Sequence, residues 1–346
     1  AQQRLWTVNQ LDGPSAAYNI PLAVRAAGPL DVPALGLALQ DVVRRHEALR
    51  TVLVSVDGEP LQVVRDVPVA EMLMTTLDAR WLPAQEQEEL VHRQAAHVFD
   101  LERDLPVRLW VIRTAGDQHT LLLVLHHVAG DGASMIPLLR DLGTAYEARA
   151  AGAAPSWQPL PVQYADYSLW QAAQVGQGEF DSQTEWWRQY LAGIPAQVPL
   201  PADGGRELSG GRPAGTQTCR IPADVHEGLT RLAAAHDASV FMVCHAAVAA
   251  LLNRLGAGDD IPLGLVNAGR DDAALTELVG FFVNTLVARH DLSGGPTPSE
   301  LVAASREAVM GALEHAAVPF DSVVDAVAPS RTPGVHPLFQ VMVNHL

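Results

Sequence analysis

With 39 acidic against 23 basic residues, the 346-residue chain carries a net charge of −16 with histidine neutral, which excludes the basic footprint that nucleic-acid binding needs. A content of 48% hydrophobic and 18% charged residues describes a globular chain, long enough for two domains, and no apolar run approaches the ~20 residues of a membrane-spanning helix. Two cysteines, Cys219 and Cys244, cannot form a disulfide framework, so a cytoplasmic setting is expected, with Cys244 in the apolar run 240–252 reading as a buried free thiol. The opening residues 1–6 hold no signal-peptide apolar core and start abruptly, as a piece of a larger chain does. An acidic partner would have to dock on a local basic patch, because the global field repels it.

The first half alternates helices and strands. Asp31 is placed to cap a helix with Leu35, Leu39, Val42 and Val43 on one face. Residues 51–55 and 61–64 flank Asp57-Gly58 and predict a hairpin. A helical period runs over 84–98. Residues 107–113 and 119–125 predict a second strand pair about Gly116-Asp117, and the Leu/Val-rich second strand is expected to be buried on both faces. A glycine-bearing polar loop follows, then a helix over 134–150, whose first turn accommodates Pro137.

The Pro- and Gly-rich stretches 151–163 and 193–215 read as linkers on either side of an amphipathic segment at 179–191. Helices are expected over 224–236 and 239–255, strands over 261–266 and 282–289, and a helix over 298–316. Residues 338–346 read as a final strand, which would leave an unpaired edge or call for a missing neighbour.

The sharpest chemical feature is His126-His127-Val128-Ala129-Gly130-Asp131-Gly132, where a buried strand gives way to a helix. A loop on such a base presents side chains rigidly at a cleft. An imidazole exchanges protons near neutral pH, and the two glycines let the backbone turn and approach a ligand. From the residues alone, the pair also fits one packed and one surface histidine. A metal centre is disfavoured, because neighbours at a strand end point to opposite faces and no Glu or Cys is spaced as co-ligand. The P-loop and dinucleotide patterns are both absent.

The segment resembles the HHxxxDG motif of nonribosomal peptide synthetase condensation domains. The opening Ala1-Gln2-Gln3-Arg4-Leu5-Trp6 resembles the family's AQxRLW, and Arg45-His46-Glu47-Ala48-Leu49-Arg50-Thr51 its RHExLRT. Tyr164-Ala165-Asp166-Tyr167-Ser168-Leu169-Trp170 is similar to YxDYAxW, and Val279-Gly280-Phe281-Phe282-Val283-Asn284-Thr285 to GxFVNT. Val318-Pro319-Phe320-Asp321 resembles a VPFE core, and Arg331 to Phe339 falls where the family has an Arg, a Pro and HPLFQ. Two departures stand out. Ala133 replaces a bulky residue, often Trp, after the DG, and His315-Ala316-Ala317 replaces His-Gln-Asp ahead of VPF.

The resemblance implies an α/β (α+β) fold of two chloramphenicol-acetyltransferase-like lobes in a V-shaped pseudo-dimer. The lobes would be residues 1–170 and 171–346, with the second truncated at its C-terminus and a substrate tunnel between them. It implies an amide-forming acyltransferase whose donor and acceptor arrive on the phosphopantetheine arms of two peptidyl carrier proteins. Adjacent adenylation and upstream epimerisation domains are implied as neighbours, with no nucleic acid, membrane, metal or further cofactor.

His127 is implied as the catalytic residue, either taking a proton from the attacking amine or steadying the charged intermediate. His126 and Gly132 support the motif, and Asp131 would clamp the loop to Arg270 of Gly264-Leu265-Val266-Asn267-Ala268-Gly269-Arg270, tying it to the second half of the chain. Ala133 would widen the floor of the site. Asn284 would line the tunnel, although a packed structural Asn fits its motif equally. An epimerisation domain shares HHxxxDG but would need an acid/base carboxylate in the second lobe, for which no candidate stands out. A silent, partner-recruiting relative usually lacks the second histidine, which is kept here. The segments 10–21, 125–132 and 281–287 closely resemble the subtype that takes a donor ending in a D-residue and an L-acceptor.

Overall fold

The structure, a computed structural model, describes residues 2–200, 215–329 and 335–345. Parts of three expectations, the 193–215 linker, Arg331 of the late motif and Leu346 of the final strand, lie outside the described residues, as does Ala1. The chain forms two compact units. The first comprises Ala1–Gln177 and Arg270–Phe282, the second Gly178–Gly269 and Val283–Leu346. The units therefore do not part at 170 alone. Thirteen residues far down the chain, 270–282, pack with the first unit, and Arg270 belongs there rather than to the second lobe expected from its position.

The first unit opens with α1 (Gln2–Asp12), β1 (Asn19–Ala27) and α2 (Val32–Arg45). Asp31 caps α2 as expected, its carboxylate accepting the Ala34 N–H at 2.9 Å. The hairpin of β2 (Thr51–Val56) and β3 (Glu59–Val64) turns on Asp57 and Gly58, both at positive φ, the conformation a two-residue turn matched to strand twist requires. Then come α3 (Ala70–Leu73), β4 (Met74–Asp78), α4 (Ala84–Ala95), β5 (Val107–Ala115), β6 (Gln118–His126), α5 (Met135–Ala150) and α6 (Tyr164–Gly176).

The sheet runs β1-β6-β5-β4, with β6 antiparallel to both neighbours and β4 parallel to β5. α2 and α5 supply Leu35, Leu39, Val42 and Leu138 to a core shared with Leu109, Leu123 and Leu125 of the sheet. β6 is buried without a break from Leu122 to His126. Its other half, beside the turn, is partly open. The buried end is the one that delivers the histidine pair.

The second unit contains α7 (Asp181–Tyr190), α8 (Ala223–Ala235), α9 (Val240–Arg254), β7 (Asp260–Asn267), β8 (Asn284–Asp291), α10 (Pro298–Glu314) and α11 (Phe320–Val327). β7 and β8 pair antiparallel, with α9 and α10 packed beside them. The expected strand over 338–346 reduces, among the described residues, to one bridge between Gly264 and Met342. Leu338 and Phe339 are both buried, in a stretch without strand pairing. A Cβ at Gly264 would collide with the Phe339 ring, so the glycine makes that packing possible. Cys244 is only half-buried and Cys219 is exposed. The buried-thiol expectation therefore holds in part.

Candidate active site

β6 ends on a continued ladder. The His126 N–H donates to the Pro106 carbonyl at 2.9 Å and the His127 N–H to the Tyr18 carbonyl at 2.8 Å. The two imidazoles are thereby sent in different directions. His126 is 2% exposed and lies among Tyr18 and Phe99, with Nδ1 accepting the Val128 N–H at 3.2 Å. Burial, with the neighbouring His127, pushes its pKa down to about 4, so it is a neutral packing residue. His127 is half-buried, its ring edge-on to Phe281 at 4.9 Å between centroids. Its pKa is lowered first by burial, against the opposing pull of the Asp131 charge, and Arg4 lowers it further. A neutral imidazole at physiological pH is a proton acceptor as it stands. Its Nδ1 is buried with no hydrogen-bond partner among the described residues.

The loop after it is tight. A Cβ on Gly130 would sit 2.5 Å from Leu125 Cδ2, whereas Gly132 faces open space and is exposed. Ala133 is half-buried. Asp131 is fully buried and both carboxylate oxygens accept hydrogen bonds. Its Oδ1 accepts from the Ser134 N–H (2.9 Å), Ser134 Oγ (2.7 Å) and Arg270 Nη2 (3.1 Å), and its Oδ2 accepts from the Phe282 N–H (2.9 Å). Arg270, 9% exposed, also donates through Nη1 to the Leu275 and Leu278 carbonyls and lies 4.3 Å over the Phe282 ring. The expected Asp131–Arg270 pair is thus present, but it closes a clamp inside the first unit.

Residues that sequence reasoning left without a role complete this clamp. Ser134 occupies the N-cap position of α5 without capping it, because its buried Oγ bridges Asp131, Arg270 (2.8 Å) and both the N–H and C=O of Gly280. The Tyr164 hydroxyl, buried with its pKa raised by that burial, donates to the Phe281 carbonyl at 2.8 Å. A Cβ on Gly280 would collide with the Tyr164 ring. The Tyr167 ring packs on Phe282 at 4.8 Å. His46, buried and shifted down by burial, contacts Asp141 through Nε2 at 2.9 Å and accepts the Val279 N–H on Nδ1. Arg45 holds the same Asp141 at 2.8 Å and lies 5.0 Å over Trp157. Against its own burial, these partners and Arg140 keep the Asp141 pKa at about 2. Four motifs distant in sequence therefore grip one segment, 278–282.

Asn284 is placed differently from a tunnel-facing amide. Its Nδ2 donates to the Ala316 and Val318 carbonyls at 2.9 and 2.7 Å, and its Oδ1 accepts the Thr285 and Phe320 N–H groups. All its amide groups are spent inside the second unit, pinning one motif to another and capping the first turn of α11.

A protein-family model described as the condensation domain matches residues 1–345. The chain is 48% identical over 348 residues to a probable non-canonical nonribosomal peptide synthetase, CymA, of Salinispora arenicola (strain CNS-205), an alignment covering 99% of this chain and 4% of that protein. It is 43% identical over 348 residues to an isonitrile lipopeptide synthase of Mycobacterium tuberculosis (strain ATCC 25618 / H37Rv), covering 99% of this chain and 14% of the relative. The chain therefore spans a small part of the curated relatives it matches. Among solved structures, the X-domain in its complex with OxyB from teicoplanin biosynthesis superposes with a TM-score of 0.91 at 34% identity, covering 99% of this chain and 75% of that one.

Proposed function

We propose, from the premise that this chain belongs to the condensation-domain family, that it forms an amide bond between two substrates tethered as thioesters to carrier proteins. The observation that carries the reading is His127, an uncharged, half-buried imidazole held by the Tyr18 carbonyl at its backbone and by Phe281 at its ring. In the reaction, the acceptor amine attacks the donor thioester carbonyl and forms the C–N bond. The tetrahedral adduct collapses with cleavage of the C–S bond, and the proton lost by nitrogen ends on the departing pantetheine thiolate. Nε2 of His127 is the group offered to that amine, as general base or as hydrogen-bond acceptor for its N–H. Asp131 is fully buried and accepts from four donors, so it is assigned a clamping role and not that of a base.

The same proposal includes donor and acceptor carriers as partners, adjacent adenylation and epimerisation domains, and a cytoplasmic site of action. The only cofactor in this scheme is the carriers' own pantetheine. Acceptance of a D-configured donor belongs here too, since inversion at the donor α-carbon exchanges a side chain for a hydrogen beside the reacting centre.

His127→Ala is expected to lower single-turnover amide formation by about 10²–10⁴-fold at saturating carriers with an unchanged melting temperature. Retention of activity within about threefold would overturn the catalytic assignment. Competition between carriers loaded with donors epimeric at the α-carbon tests the stereochemistry, and equal use of both or preference for the L-donor would overturn it.

A second reading has one observation in its favour. The structural relative superposed above was solved in a complex with another protein, so a partner-recruiting domain without catalysis fits the same fold. The persistence of amide formation in the wild type, lost in His127→Ala, separates the two.

A further inference from the structure

The residue that occupies the open position of the GxFVNT-like motif, Phe281, has a ring beside His127 and a backbone held by side chains at and on either side of it. On its N-terminal side, Ser134 Oγ contacts both the N–H and the C=O of Gly280, at 3.2 and 2.9 Å. At the residue itself, the buried Tyr164 hydroxyl holds the carbonyl at 2.8 Å. On its C-terminal side, the Asp131 carboxylate holds the Phe282 N–H at 2.9 Å. The Phe282 ring is itself held between Arg270 and Tyr167. Three consecutive residues are thus fixed by side chains that are themselves buried, a costly arrangement for an ordinary turn. Its product is that the Phe281 ring, 4% exposed, meets the His127 imidazole at 4.9 Å and 61°.

We propose that Phe281 is a positioning residue for His127. Its ring closes one side of the imidazole, holds the ring plane so that Nε2 faces the substrate, and keeps water from that side. The assignment rests on His127 being the amine's partner, and it adds a residue that acts only through the imidazole. The charged and titratable groups about the imidazole are Asp131, which favours its protonation, Arg4, which opposes it, and His126, which is neutral. Phe281 carries no charge, so it acts on His127 through exclusion of water and through shape. Loss of its ring lets water reach the imidazole and favours the protonated form.

The test titrates the His127 imidazole by NMR in the full chain, in wild type, Phe281→Ala and Phe281→Leu, beside the pH profile of amide transfer. Phe281→Ala is expected to move the His127 titration upward by about half a pH unit or more. The acid limb of the transfer profile should move with it, and kcat should fall about tenfold with carrier KM within about twofold. Phe281→Leu, which keeps an apolar cover, is expected to fall between the two and serves as the reading should the alanine variant not fold. Ile112→Ala, a truncation of a fully buried side chain paired with Thr120 at the other end of β6 from the histidines, controls for stability loss and is expected to leave the titration in place. An unmoved His127 titration in the Phe281 variants, or an equal movement in Ile112→Ala, overturns the proposal. Because the titration needs no turnover, it separates this inference from the condensation reading, which His127→Ala decides.

Discussion

At the scale of single residues, the chemistry of the loop is set by which polar groups are already committed. Asp131 is the motif's carboxylate, and its environment makes it a structural anion with four donors rather than a base. Removing it would strand Arg270 and Ser134 in a buried site. Asp131→Ala is therefore expected to cost about 3–5 kcal/mol of stability, and Ser134→Ala less, about 1–3 kcal/mol. Denaturant titration measures both. An Asp131→Ala loss below that of His127→Ala would contradict the clamp. The adjacent histidines also show how identical side chains part company. One backbone step at the end of β6 puts His126 under aromatic rings and leaves His127 half-open.

At the scale of elements, the strand-loop-helix unit of β6 and α5 works because the helix forgoes its own cap. Ser134 stands where a serine would normally accept an N–H of the first turn, yet its Oγ is turned to Asp131, Arg270 and Gly280. A cap was traded for a tie to a segment about 146 residues away in sequence. Asn284 makes the corresponding tie in the second unit, between β8 and α11. Asn284→Ala is expected to lose about 2–3 kcal/mol, because two carbonyls and two N–H groups lose their partner, with amide transfer by the folded protein within about threefold of wild type. Loss of transfer without loss of melting temperature would restore the substrate-lining role that the motif suggests.

At the scale of the whole chain, buried histidines make stability depend on acid. His126, His245 and His290 all have pKa values pushed down to about 4, in each case first by burial. His290 contacts Ser305 at 3.2 Å, whereas neither ring nitrogen of the fully buried His245 has a hydrogen-bond partner among the described residues. Above the ordinary histidine pKa of ~6.5 these groups are neutral whether folded or unfolded and carry no penalty. As pH falls from about 6.5 to 4, the unfolded chain binds protons that the folded chain refuses, so stability drops through that window and levels off below it. The ceiling is about 3 kcal/mol per histidine. Melting temperatures are expected to hold between pH 7 and 8 and fall steeply toward pH 5. His245→Leu should be neutral or stabilising at pH 7 and should flatten the acid slope by about one proton. An unchanged slope in that variant would remove His245 from the account.

The sequence by itself determined the local elements and the histidine loop. Capping at Asp31, the Asp57-Gly58 turn, the apolar run of β6 and the HHxxxDG spacing are all short-range signals, and each reappears in the structure. The motifs, which are local strings of residues, also carry the family resemblance. Three-dimensional packing decided what those motifs are for. RHExLRT, YxDYAxW, HHxxxDG and the segment ending at Arg270 contain no local cue that they meet, yet side chains from each hold residues 278–282. The return of 270–282 to the first unit, the bonding of Asn284 and the closure of His127 by Phe281 were equally hidden. Each depends on contacts between residues far apart in sequence, and such contacts are set by tertiary packing, where burial selects which polar groups must find one another.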